Sequence, residues 1–174
     1  MQTIWHHCLT LQTQQCLYIN FMKRTATAQW SGSLKDGSGA LTTESEVLHN
    51  TPYSFSTRFE DVKGTNPEEL VAAAHASCFT MAFAAELLKV GLVPKKIQVD
   101  SYINLEKTDS GWEVNEAHLK VYAFVPEGEN DYLKKCAEKV RENCPISKLL
   151  NTRVTMETEL EGKEPLKPGL QETG

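Results

Sequence analysis

Alternating apolar and polar residues around 25–60 and 96–125, a long apolar helical segment between them and an amphipathic helical segment after them predict an α+β fold. The expected architecture is a mostly antiparallel sheet with a long buried central helix and a second amphipathic helix packed on it. A length of 174 residues fits one domain of ordinary size, large enough to bury its own core.

The elements follow in order. Residues 1–21 carry no Lys, Arg, Asp or Glu and no clear period. They are expected to be an extension ahead of an ordinary protein start at Met22; the alternating LYINF leaves a genuine extra strand as the other reading. TATAQW and GALTTE read as short strands joined by the turn KDGSG. YSFSTRFE alternates strictly and reads as a strand, with Arg58 on the face opposite Tyr53, Phe55 and Phe59. A helix start follows: Asn66 as cap, Pro67 in the first position, Glu68 and Glu69 at the positive end of the dipole. That helix should run to about Val90, end at Gly91, and be central and buried because its middle is apolar all round. KIQVDSYINLEK and GWEVNEAHLKVYAFV form a hairpin through TDSG. Leu133, Cys136, Ala137, Val140 and Cys144 make one stripe of a half-buried helix over about 130–143, which Pro145 stops. TRVTMETEL is the last strand. The expected organisation is an extension at 1–21, a domain at 22–160 and a polar tail at 161–174.

Composition narrows the function classes. A net charge of −5 with scattered Lys and Arg argues against nucleic-acid binding. The best apolar run, VAAAHASCFTMAFAAELL, holds His, Ser, Cys, Thr and Glu, and reads as a core helix rather than a membrane span. No secretory or mitochondrial signal pattern is recognisable in MQTIWHHCLTLQTQQCLYINF. Five cysteines, irregularly spaced and without CxxC, point to a reducing, cytoplasmic setting rather than a disulfide framework.

Few residues carry chemistry. Cys78 lies about three turns into the long helix, too deep for the dipole to activate it, so a reactive thiol there needs a cation from elsewhere. Arg58 is the nearest candidate in sequence. On cysteine alone, a small core residue is the favoured reading. Cys144, 66 residues later, is also on an inward face, so contact with Cys78 is allowed but not implied. Core packing is the alternative for Cys144, and more strongly for Cys136. His75 and Cys78, at i and i+3, form at most half a metal site; packing or an interface suits His75 better. His6, His7 and Cys8 have metal-ligand chemistry but fall in the extension. No metal or cofactor is expected, and no phosphate loop, GxSxG or HExxH occurs.

The stretch STRFE…GTNPEELVAAAHASCFTMAFAAEL, with ENCPISKLL further on, resembles the osmotically inducible protein C (OsmC) family, within the superfamily it shares with the organic hydroperoxide resistance (Ohr) proteins. The resemblance covers about residues 23–160, and TRFE, EEL and AAH look more like OsmC than Ohr. It implies an intertwined homodimer with active sites near the subunit interface, and a thiol peroxidase that prefers organic hydroperoxides to hydrogen peroxide. It makes Cys78 the peroxidatic cysteine, Cys144 the resolving one, Arg58 the activating cation and Glu68 the carboxylate that orients it. An external dithiol, of lipoyl type by analogy with the superfamily, is the expected reductant. Phe79 and Phe83 are expected to give Cys78 apolar surroundings suited to an alkyl hydroperoxide. Two other readings compete: a non-catalytic stress-induced ligand-binding protein with structural cysteines, and a protein thiol–disulfide oxidoreductase, which the missing CxxC disfavours.

Overall fold

A computed structural model describes residues 22–161. The expectations placed on residues 1–21 and on the tail beyond 161 lie outside the described residues. The chain divides into two compact units, meeting in sequence at Thr65 and Asn66.

The first unit is an antiparallel meander of β1 (Ala26–Ser31), β2 (Ser38–Thr43) and β3 (Thr51–Tyr53), followed by a short helix, α1 (Phe55–Phe59). The β1–β2 register runs from Ala26 opposite Thr43 to Ser31 opposite Ser38. Its turn is closed by the Gly37 N–H donating to the Ser33 carbonyl at 2.9 Å. Gly39 is required by close packing: a Cβ there would lie 2.4 Å from the Tyr53 ring and 2.8 Å from the Trp30 ring. It is the one buried residue described in this unit, and both faces of β1 are open.

The expected strand at Ser54–Phe59 is a helical turn instead. Ser54 and Thr57 form a reciprocal capping box, each side-chain oxygen accepting the other's backbone N–H at 3.2 and 2.9 Å. Alternation over six residues fits a strand, but the two hydroxyls three residues apart satisfy the helix start. Phe55 and Phe59, at i and i+4, then stack at 4.9 Å between centroids.

The second unit holds α2 (Pro67–Leu88), β4 (Lys96–Thr108), β5 (Gly111–Phe124), α3 (Asn130–Asn143), α4 (Pro145–Leu149) and β6 (Arg153–Glu161). β5 is central, antiparallel to β4 and parallel to β6. The fold is therefore α+β and mostly antiparallel, with its strands in two sheets and one parallel edge. The inner face of β5 supplies Ala117, Leu119, Val121 and Ala123 to the core. α3 packs the expected stripe there, with Leu133, Cys136, Ala137 and Val140 all buried.

α2 starts and stops where its signals lie. Asn66 Oδ1 accepts the Glu69 N–H at 2.8 Å, and Gly91, at φ +76°, turns the chain out. The Gly91 and Leu92 N–H groups cap the carbonyls of Leu88 and Leu87 at 3.0 and 3.1 Å. Only one face is buried, His75, Phe79, Phe83 and Leu87 at four-residue steps. On the other side Met81 is 75 % exposed and Leu88 64 %. By length and composition α2 could cross a bilayer; its inner face here packs on β4, α3 and α4.

Candidate active site

α2 delivers Cys78 one turn beyond His75, half-buried against the edge of the core. Cys144 ends α3 and begins α4, with 1 % of its surface exposed. Pro145, read in sequence only as a stop, also occupies the first position of α4, where its missing N–H costs nothing. This sharp junction carries Cys144 Sγ to 3.2 Å from Cys78 Sγ, with the Cys144 thiol donating and both cysteines free.

Three influences act on the Cys78 thiol. Burial pushes its pKa up, the backbone N–H of Ile146 pulls it down, and the adjacent Cys144 sulfur raises it again, leaving it above its ordinary value. Reactivity at neutral pH therefore calls for a further positive influence. The two thiols differ in access: Cys78 is half-buried, while Cys144 has 1 % of its surface exposed.

Arg58 belongs to the first unit, in the last turn of α1, with its guanidinium over the Phe59 ring at 5.0 Å from the centroid. Glu68 belongs to the second, half-buried in the first turn of α2. Phe79 and Phe83 are fully buried. They back Cys78 from within the core, so the expected apolar surroundings lie behind the thiol and do not form an open wall. Cys136 is buried mid-helix and linked to Tyr132, whose phenol it holds above its ordinary pKa. Among the described residues no group of three or more metal-ligating side chains occurs.

Three neighbours escaped sequence reasoning: Ile146, Ser147 and Ser101. His75 Nε2 lies 2.9 Å from Ser147 Oγ, and Ser101 Oγ 3.4 Å from His75 Nδ1. The available signal was His75 itself, since a histidine buried in an apolar helix must find partners for both ring nitrogens. A groove of about 370 Å³ runs between α2 and α3, from Glu86, Lys89 and Lys139 to Cys144. Glu86 accepts from both lysines, Lys89 at 2.6 Å, and they hold its carboxyl below the usual range.

A helix-borne thiol thus stands beside a second one on an α+β scaffold. The OsmC-like protein family matches residues 60–159, and the chain belongs to that family. Peroxiredoxin OsmC of Escherichia coli is 40 % identical over 133 residues, covering 76 % of this chain and 93 % of that protein. An organic hydroperoxide resistance protein of Xanthomonas axonopodis pv. citri is 29 % identical, covering 48 % of this chain and 58 % of its own. Among solved structures, an OsmC-like protein of Vibrio cholerae superposes with a TM-score of 0.66 at 18 % identity, covering 80 % of this chain and all of its own. The organic hydroperoxide resistance protein OhrB of Bacillus subtilis gives 0.61 at 23 %, covering 78 % and 98 %. At those identities the two structures speak to the fold alone.

Proposed function

We propose that this chain is a peroxiredoxin-like enzyme, a two-cysteine thiol peroxidase that reduces organic hydroperoxides, and hydrogen peroxide less well, in cytoplasmic stress defence. The 3.2 Å approach of two free thiols of unequal access carries the reading. The relatives named peroxiredoxin and organic hydroperoxide resistance protein support it.

Cys78 thiolate attacks the distal oxygen of the hydroperoxide; the O–O bond breaks, the alcohol leaves after taking a proton, and Cys78 becomes a sulfenic acid. Arg58 stabilises the thiolate and the departing oxygen, and Glu68 orients the guanidinium by a charge-assisted pair. Cys144 sulfur then attacks Cys78 sulfur, the S–O bond breaks, and water leaves with the Cys144 proton. An external dithiol of lipoyl type reduces the disulfide by exchange, and the groove ending at Cys144 gives it a route.

The working unit is a homodimer. A first unit whose described residues include one buried position, and an α2 face carrying exposed Met81 and Leu88, both need cover. The test of the activity is steady-state consumption of cumene hydroperoxide with dihydrolipoamide. Turnover should vanish in Cys78→Ser; consumption indifferent to that change would remove the proposal.

A further inference from the structure

Among the described residues, the redox steps leave one fully buried polar side chain unused. His75 has no exposed surface, and burial lowers its pKa, so its ring is neutral at physiological pH. A neutral imidazole offers one N–H and one lone pair, and a hydroxyl can serve either. Ser147 at 2.9 Å and Ser101 at 3.4 Å therefore match both nitrogens in either tautomer. Among the described residues, no buried side-chain nitrogen or oxygen lacks a hydrogen-bond partner. The cluster joins three elements: α2 through His75, β4 through Ser101 and α4 through Ser147.

α4 depends on that link. Five residues are too few to form a stable helix alone, and Ser147 is its one buried residue. Ile146 adds a partly buried apolar contact with the core. Yet α4 carries two groups that act on Cys78: its cap, Cys144, and the Ile146 N–H. His75 lies one turn before Cys78 on α2. The His75–Ser147 bond and the Cys78–Cys144 contact are thus successive ties between the same two helices.

We propose that His75 is a positioning residue for the two-cysteine reaction: through Ser147 it clamps α4 onto α2, so that Cys144 Sγ stays within reach of Cys78 Sγ. The inference rests on the peroxidase reading above. Its main effect falls on disulfide closure, because the sulfurs must come from 3.2 Å to the ~2.05 Å of a bond. An advantage of this kind is lost steeply when the partner drifts by about 1 Å. Peroxide attack on Cys78 depends on α4 only through the Ile146 N–H, and changes less.

Quenched-flow mixing of the reduced full chain with cumene hydroperoxide, read by intact mass, separates the two steps. The first adds one oxygen; the second loses water to leave a disulfide. In Ser147→Ala, closure should slow about tenfold or more, while oxygen addition changes by less than about threefold. Ser147→Thr, which keeps a hydroxyl, should restore closure, as should His75→Gln, whose amide can reach Ser147, relative to His75→Leu. Closure at the wild-type rate in Ser147→Ala, or equal slowing of both steps in every variant, overturns the clamp. A wild-type protein that adds oxygen rapidly but never closes overturns the two-cysteine reading itself, whatever the variants do.

Discussion

Cys144 Sγ lies 3.2 Å from Cys78 Sγ, and of the two only Cys78 has appreciable access to solvent. This pairing of a reachable thiol with a shielded one dictates the order of events in the proposed cycle and yields separable predictions.

Removing the shielded partner should leave the first step and abolish the second. Cys144→Ser treated with one equivalent of cumene hydroperoxide should accumulate a Cys78 sulfenic acid that dimedone traps. Absence of any dimedone adduct at Cys78, with peroxide consumed, would place the chemistry elsewhere.

The thiol's surroundings in the second unit raise its pKa, chiefly by burial. If Arg58 supplies the compensating charge, Arg58→Met should expose that raised value. The pH profile of Cys78 alkylation by iodoacetamide in a Cys144→Ser background should move upward by about one unit or more, with its midpoint above the ordinary thiol value near 8.5. Thiolate forms only as pH rises through the pKa, so alkylation at pH 7 should fall roughly tenfold in the variant. Superimposed profiles would show that Arg58 does not act on Cys78.

Glu86, between Lys89 on its own helix and Lys139 on α3, has its carboxyl held below the usual range. A depressed folded-state pKa contributes stability that is present above the unfolded pKa and lost as pH falls through the folded value. Glu86→Gln should therefore have a lower Tm at pH 7, with the gap closing below about pH 4. A gap independent of pH would point to lost packing instead of lost charge.

The proposed homodimer is tested on the exposed face of α2. The wild type should sediment at twice the chain mass of 19.5 kDa, and Met81→Asp, which puts a charge on an apolar contact, should shift it toward one chain. A wild type that sediments as one chain at micromolar concentration would contradict the dimer.

Much of the fold was legible because long elements announce themselves. Asn66, Pro67 and Gly91 mark the two ends of α2, and the spacing of Leu133, Cys136, Ala137 and Val140 sets the buried face of α3. The two short helices were not. α1 alternates like a strand, and its Ser54–Thr57 box is a signal of position rather than period. α4 hides behind Pro145, which ends one helix and starts the next. Both cysteines of the site were singled out in sequence; their pairing followed from the resemblance to the OsmC family, while spacing alone left the contact open, since it depends on that tight junction. The partners of His75 were illegible for a related reason: Ser147 lies 72 residues away and reaches it only once α4 is seated.

The redox pair itself is read by peptide mapping without reduction, after the wild type is given one equivalent of cumene hydroperoxide and no reductant. A linked Cys78–Cys144 peptide should appear in stoichiometric yield and be absent from Cys78→Ser. Recovery of both peptides as free thiols after the peroxide has been consumed would contradict the redox pair.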